Sequence, residues 1–525
     1  MKEAIARAAP FLSALSRDPA LSGAWNDLGL RFFEQGRLGE AVAALRRSLH
    51  LQPADPGAWS NLASAHQYRG DLGAAIEAFR QALALAPQLG GIHLNKANVL
   101  QEQGRIDEAL NSYKAALAME PALARGEMNL AGASLYQPGA SLHSILVHAR
   151  RGCRISGIAM MPNRPVEEPR IGFISADFRQ HAVGYLAIPA IEGLARAGHR
   201  LTLYSNSLRE DSLTERFKAC AAQWRVVAGM GDEELVAQIR ADGIGILVDL
   251  SGFTAGNRLA ALARKPAPIQ IASWLGYPST TGLPAMDYIL ADRHQVPEGA
   301  EAFYSEKVIR LPDSYICFEP PPDAPEPGDL PCSEQGHVTF GSFNALKKIN
   351  SRVVALWSRV MRRVPDSRLV MKAQGLDCRR TRDRFAEAFA ANGIESERLT
   401  LVGTTPPTEH LDWMRRADLA LDPFPYSGGR TTLETLWMGL PVVTLPAESF
   451  AGRHSLGYLS TLGLTDWVAR DEDHYVELAA DLAGDPAGLA GWRRTLRERI
   501  MASPLADTDR FVRDLDQALT TIWSQ

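Results

Sequence analysis

Cysteine is scarce and unpaired in this sequence. The five present, Cys153, Cys220, Cys317, Cys332 and Cys378, are scattered, and none begins a Cys-x-x-Cys zinc or redox pair. Such a pattern builds no disulfide framework, and free thiols in a reducing compartment are expected. Long apolar runs are missing too: no stretch approaches the roughly 20 residues that a membrane span requires. The N-terminus places Lys2, Glu3 and Arg7 where a signal peptide would need an apolar core. Charge of one sign is not in excess, since the net charge is −4 and no Lys/Arg run occurs, so a nucleic-acid footprint is excluded. These absences predict a cytoplasmic protein with neither a nucleic-acid nor a membrane partner. What is present is the composition of a folded chain, 46% hydrophobic and 22% charged. At 525 residues it is too long for one core, which predicts two to four domains.

The N-terminal part repeats itself. Pro19, Pro53, Pro87 and Pro121 recur every 34 residues, as do Gly36, Gly70 and Gly104, and Ala41, Ala75 and Ala109 keep the same register. Trp25 and Trp59 open successive units, with Leu28 and Leu62 three residues on. A small residue where two helices cross, with Pro closing the second, is the tetratricopeptide signature. In the second unit Trp59, Leu62, Ala63 and His66 form one helix face, residues 69–71 turn the chain, and Leu72, Ala75, Ile76, Phe79, Ala82 and Leu83 form the next face, which Pro87 ends. One such pair cannot bury its own apolar side, so the units stack into a superhelix whose concave face is open to a polypeptide. Three full units over about 20–121 are expected between a leading helix and a degenerate fourth unit ending near residues 136–139, within a repeat domain of 1–145.

From about residue 168 short β-branched runs alternate with helical stretches, the pattern of parallel sheets covered by helices. Strands are predicted at 170–175, 200–204, 245–250, 269–274 and 288–291, and a second series at 338–342, 368–371, 399–402, 419–422 and 442–445. The Pro-rich stretch 320–327 between the series reads as a linker. The fold class is thus two Rossmann-like α/β halves, 165–318 and 335–505, behind the all-α repeats. An amphipathic helix within 506–525 is expected to dock on the body. Ligands of such sheets bind beyond the carboxyl ends of the strands.

The most informative stretch is 419–445. A strand ends at Asp422, the Gly428–Gly429 pair lets backbone approach a ligand, and Arg430, Thr431 and Thr432 open a helix. Free amides, hydroxyls and the helix dipole at that point favour a diphosphate. Glu434, in the first turn, can accept from ribose hydroxyls, and Gly439 and Pro441 then return the chain to a buried strand.

This arrangement resembles the nucleotide-binding half of glycosyltransferases with two Rossmann domains. Four further segments, 171–181, 266–278, 341–349 and Glu409–His410, are similar to the O-linked N-acetylglucosamine transferases and their SPINDLY-type relatives, glycosyltransferase family 41. The resemblance implies a GT-B fold and an inverting transfer of N-acetylglucosamine from its uridine diphosphate donor to Ser or Thr hydroxyls of a polypeptide held along the repeat groove. By the same resemblance His181 lies beside the donor sugar as general base, and Lys348 lies on the diphosphate. His410 packs on the nucleobase, with backbone contacts to it from Thr404 and Thr405. Tyr277 and Pro278 border the sugar and acceptor, and Gly428, Gly429, Arg430, Thr431 and Glu434 complete the donor site. An imidazole titrating near 6.5 suits proton abstraction at neutral pH.

The sequence departs from the family at two places. Arg430 stands where animal members carry a histidine and other relatives a Thr-rich run, which aims its guanidinium at phosphate. Ala345 replaces a polar residue that contacts the base in the animal proteins. The segment joining the halves also lacks their long inserted domain. Fucosyl transfer from a guanosine donor, or a repeat scaffold with a vestigial nucleotide site, remain as alternatives. Cation-dependent glycosyltransferases commonly carry Asp-x-Asp at a strand end, whereas the acidic triplets here, 471–473 and 514–516, fall in loop or helix contexts. No metal and no cofactor beyond the sugar nucleotide are therefore expected.

Overall fold

The computed structural model describes residues 10–153, 169–273, 276, 277 and 279–525, with residue 12 also left out. Its repeat region is built of helix pairs: Ser22–Glu34 with Leu38–Leu51, Pro56–Arg69 with Leu72–Leu85, and Gly90–Glu102 with Ile106–Met119. The periodic residues explain the pairing. Ala41, Ala75 and Ala109 are wholly buried where helices cross. The indole Nε1 of Trp25 and of Trp59 donates to the carbonyl of Pro19 and of Pro53, each at 2.9 Å, and His93 Nε2 meets the Pro87 carbonyl at the same distance. Each unit thus seals the carbonyl left by the proline that ended its predecessor. The fourth unit is longer than the sequence suggested. Ala124–Ser134 is followed by a second helix, Leu142–Gly152, whose Ile145, Leu146 and Ala149 are buried. Of the leading helix, residues 13–17 are helical, and residues 1–9 lie outside the described residues.

The first α/β half is a seven-stranded sheet, β1 (Arg170–Ser175), β2 (Leu201–Ser205), β3 (Gln223–Val226), β4 (Ile244–Asp249), β5 (Ile269–Ala272), β6 (Tyr288–Asp292) and β7 (Lys307–Leu311), in the order β3-β2-β1-β4-β5-β6-β7. The second is five-stranded, β8 (Thr339–Ser342), β9 (Arg368–Lys372), β10 (Leu399–Val402), β11 (Leu419–Leu421) and β12 (Val442–Val443), in the order β10-β9-β8-β11-β12. All pairings are parallel. In both sheets the order reverses beside the first strand, and the crevice beyond that point is where doubly wound folds bind ligands.

Two strands escaped the sequence reading, β3 and β7. Both are edge strands, largely half-buried or exposed, so neither carries the continuous apolar run of a strand covered on both faces. The predicted linker is extended but pinned: the buried Arg493 guanidinium donates to the carbonyls of Pro327 (3.0 Å), Gly328 (3.2 Å) and Ala417 (2.9 Å). The last helix, Thr508–Ser524, packs on the first half, not the second. Its Phe511, Val512, Leu515, Leu519 and Ile522 join the core around β1 and β4, and His199 Nε2 meets Asp516 at 2.8 Å. That core also takes in Leu433, Leu436, Tyr458 and Trp467 of the second half, so the halves share packing beneath their cleft.

Candidate active site between the two sheets

Three chain segments leave the carboxyl ends of β1, β8 and β11 and converge on the cleft. After β1 the chain turns at Asp177, whose amide donates to Ser175 Oγ at 2.9 Å, and reaches His181, the N-cap of helix Ala182–Arg196. His181 Nδ1 lies 3.3 Å from Asp177 Oδ2 and 3.3 Å from the Val183 amide. One nitrogen cannot serve both. Protonated, Nδ1 donates to Asp177 and leaves Nε2 bare as a proton acceptor; unprotonated, it accepts from Val183 and the proton sits on Nε2. Burial lowers the imidazole pKa below its ordinary value, opposed by Asp177 and reinforced by Arg179, Lys347 and Arg430. Two of those cations, Lys347 and Arg430, belong to the second half, so the fold brings His181 within reach of the segments that follow β8 and β11.

After β8 the chain passes Asn344, the exposed Ala345 and a short 3-10 turn, Leu346–Lys348. Lys348 Nζ donates to Asn344 Oδ1 (3.2 Å) and to the Ser427 carbonyl (2.8 Å), and it sits 4.7 Å from the Tyr426 ring centroid. One of its three N–H groups is left for a ligand. Desolvation pulls this lysine down to about 7, with Asp422 raising it and Lys347 lowering it further.

After β11, Asp422 organises the glycine loop: its Oδ1 accepts from the Gly428 amide at 2.8 Å and its Oδ2 from Thr444 Oγ1 at 2.7 Å. Gly429 then caps helix Arg430–Trp437 without any side-chain cap. The N–H groups of Gly429, Arg430 and Thr431 meet no acceptor among the described residues. Those amides and the helix dipole offer positive ends to an anion, and the Lys348 ammonium is tied to the same loop through the Ser427 carbonyl.

The structure gives Arg430 partners of its own. Its guanidinium pairs with Glu434 Oε1 at 2.7 Å and lies 3.5 Å over the ring of Tyr185, a residue of helix Ala182–Arg196 across the cleft. Glu434 Oε2 faces His410 Nε2 at 3.7 Å, and His410 Nδ1 accepts from Lys372 Nζ at 2.9 Å. Lys372, buried at the end of β9, is titrated downward by desolvation against the pull of Glu409, Asp377 and Glu434. The Thr404 amide and hydroxyl are both engaged by Asp377 (2.9–3.1 Å); Thr404 is exposed and Thr405 beside it is half-buried. Tyr277 is buried, with its hydroxyl on Asp249, a carboxyl pushed up to about 6 by desolvation. Pro278 lies outside the described residues. Asp177, Tyr185, Lys372, Asp377 and Tyr426 were not singled out from sequence. Asp177 is the one with a visible signal, an acid four residues before His181.

Of the acidic triplets, Asp471 caps helix Glu472–Ala483 and Asp516 pairs with His199. Among the described residues no group of three or more His, Cys, Asp or Glu side chains could hold a metal ion.

The model of glycosyl transferase family 41 matches residues 160–319 and 330–515. The chain belongs to glycosyl transferase family 41. Tetratricopeptide models match residues 29–67 and 56–121 in front of the family 41 region. The chain is 36% identical, over 68% of its length, to a SPINDLY protein of Petunia hybrida named as a probable UDP-N-acetylglucosamine–peptide N-acetylglucosaminyltransferase, of which it covers 39%. To the Arabidopsis thaliana SPINDLY protein it is 36% identical over 69% of its length, covering 40% of that relative. It thus spans about two fifths of these curated relatives. A solved structure of a Thermobaculum terrenum O-GlcNAc transferase variant superposes with a TM-score of 0.91 at 35% identity, over 97% of this chain and 98% of that one. Family 41 membership and this likeness agree with the GT-B pair of halves behind tetratricopeptide repeats.

Proposed function

We propose that the chain is an inverting, metal-independent glycosyltransferase that moves N-acetylglucosamine from UDP-N-acetylglucosamine onto Ser or Thr hydroxyls of proteins. The observation that carries this reading is that the charges of Lys347, next to Lys348, and of Arg430, at the open helix start, reach His181, with Arg430 seated on Tyr185 of the helix that His181 caps. The acceptor oxygen attacks the anomeric carbon as the bond to the diphosphate oxygen breaks, and one displacement inverts the configuration. His181 takes the hydroxyl proton on Nε2. Lys348 and the backbone amides neutralise the charge that develops on the departing diphosphate, work that a metal ion performs elsewhere. No cofactor beyond the sugar nucleotide is required by this chemistry. His410 and the Thr404–Thr405 backbone lie where a base would extend from the diphosphate, and Glu434 lies between the two.

The repeats supply the acceptor. Asn61, Asn95 and Asn129 recur at the repeat spacing, and Asn61 and Asn129 already bond to neighbouring amides at 3.0 Å. Such a row can pair with the backbone of an extended polypeptide. Separate free thiols fit a cytoplasmic site of action. The test is incubation with labelled UDP-N-acetylglucosamine and a host extract, with and without chelator, followed by mass spectrometry. N-acetylhexosamine on Ser or Thr, undiminished by chelator, is the expected result. Labelling from GDP-fucose alone would replace the donor assignment, and no transfer from either would defeat the reading.

A further inference from the structure

Tyr136 belongs to the fourth repeat unit, yet its ring lies flat on that of Tyr426 in the second α/β half. The centroids are 4.6 Å apart and the planes 6° from parallel. Tyr426 stands two residues before Gly428 and is the ring beneath the Lys348 ammonium. On the other side Lys347 Nζ lies 5.4 Å from the Tyr136 centroid. Two adjacent lysines are thus seated on two stacked tyrosines, one from the repeats and one from the glycine loop. Ring faces are electron-rich, so each cation is held where its charge is favoured.

The backbone repeats the connection. Asn350 Nδ2 donates to the Tyr136 carbonyl at 3.4 Å and to the Phe424 carbonyl at 2.9 Å, bridging the repeat arm and the glycine loop at the end of the lysine segment. One unit earlier Gly104, at φ +76°, packs so close to the segment that a Cβ there would stand 2.4 Å from the Leu346 carbonyl oxygen. Arg384 also donates to the Gln103 carbonyl. The segment 344–350 is therefore gripped from the repeat side at Leu346 and Asn350 and from the loop side at Ser427. An arm that only captured a polypeptide would have no need of a buried aromatic stacked beside the diphosphate loop.

We propose that Tyr136 is a positioning residue for the donor diphosphate: its stack on Tyr426 fixes the aromatic floor under Lys348, making the last repeats a wall of the donor site. The inference rests on the reading of Lys348 as the diphosphate cation. It also gives the repeats a route to the chemistry, since a shift of the fourth unit moves the floor beneath that cation.

The test uses the full chain carrying Y136F, Y136L or Y136M, titrated with uridine diphosphate and with inorganic pyrophosphate. Y136F keeps the ring and should bind as the parent does. Y136L and Y136M should weaken both ligands by about tenfold, the value of a lost aromatic pair. The readout that a merely structural role would not move is the pH profile. Affinity in the parent should fall as pH rises through about 7, where Lys348 loses its proton, and this limb should shift upward in Y136L as water reaches the ammonium. Melting temperatures identify a variant that fails to fold, and Y136M decides the matter if Y136L does. Parental affinity with an unshifted limb in a folded Y136L or Y136M overturns the role of Tyr136 alone. A parent that binds neither ligand overturns the donor-site reading with it.

Discussion

Lys348 Nζ donates to the backbone carbonyl of Ser427 at 2.8 Å, one residue before the Gly428–Gly429 pair. The cation is thus fastened to the loop that ends at the open helix start, and on the proposed function a diphosphate would meet ammonium and amides in one preset arrangement. Replacing it tests the arrangement directly. K348M should weaken binding of uridine diphosphate by roughly 10- to 100-fold, the range for a lost charged hydrogen bond, and abolish measurable transfer. Burial pulls Lys348 down to about 7, so at pH 8 the free protein holds it largely neutral, and the bound diphosphate restores its charge. Binding at pH 8 should therefore take up a proton, visible by calorimetry in buffers of different ionisation enthalpy, and K348M should lose that uptake.

On the proposed mechanism, His181 and Lys348 set opposite limbs of the rate profile. The base works unprotonated, and burial lowers its pKa below the usual 6.5, so activity should persist into mildly acidic solution and fail only below that value. The cation works protonated. In kcat/KM, which reports the free enzyme, the alkaline limb should lie near 7. In kcat, which reports the donor complex, it should move upward, because the diphosphate holds the proton on. Coincident alkaline limbs would contradict the assignment of Lys348.

Asp177 selects the working tautomer of His181, because its Oδ2 at 3.3 Å is the acceptor that draws the proton to Nδ1. Without it, the Val183 amide at 3.3 Å retains Nδ1 as acceptor and the proton moves to Nε2. H181A should lower kcat by about 10²- to 10⁴-fold, the usual share of a general base. D177A should lower kcat by less, with the donor KM little changed. Steady-state kinetics on both variants make the comparison.

Lys372 orients His410 through Nδ1 at 2.9 Å, which turns Nε2 toward Glu434. K372A frees the ring to rotate and should weaken uridine diphosphate binding several-fold while leaving inorganic pyrophosphate binding unchanged, since Lys348 is held by Asn344 and Ser427 and not by this pair. Calorimetry with the two ligands separates base-side from phosphate-side effects. Equal loss for both would show that Lys372 acts on the diphosphate instead.

Local pattern carried a large part of this architecture. The repeats were legible because Pro, Gly and Ala recur in register where geometry demands them, and the eight inner strands were legible because burial on both faces leaves apolar runs; the edge strands β10 and β12 were read as well, from their short aliphatic runs. The turn from Asp422 through Gly428 to Arg430 could be read because a strand end, a glycine pair and a helix start are adjacent in sequence. What escaped depends on distant partners. A lysine ending β9 reads as solvated until the fold sets it on His410, and Arg430 reads as open to phosphate until Tyr185 and Glu434 are seen around it. Tyr136 and Tyr426 are 290 residues apart in sequence, and no local pattern announces their stack. His181 and Lys348 themselves came from family resemblance, since a single His or Lys after a strand has no distinguishing physics.

Gly428 tests whether the glycine loop is shaped by packing as well as by the ligand. A Cβ built there would stand 2.1 Å from Thr432 Oγ1 and 2.9 Å from Asp422 Oδ1. Neither neighbour can give way freely: Thr432 Oγ1 is bonded to Ser455 Oγ at 2.9 Å, and Asp422 Oδ1 accepts the Gly428 amide at 2.8 Å. G428A should cost about 1–3 kcal/mol, the range for overpacking a well-filled site, and lower the melting temperature. It should also displace the first turn of helix Arg430–Trp437 and with it the open amides proposed to meet the diphosphate. Because the worst contact is with one oxygen, removing that oxygen should return part of the loss. T432A alone gives up the Ser455 bond and destabilises, whereas the double variant G428A/T432A should be more stable than the sum of the two changes predicts. Denaturation of the four proteins, with and without uridine diphosphate, measures that coupling. Strict additivity would place the G428A defect in the backbone of the loop, away from the Thr432 side chain.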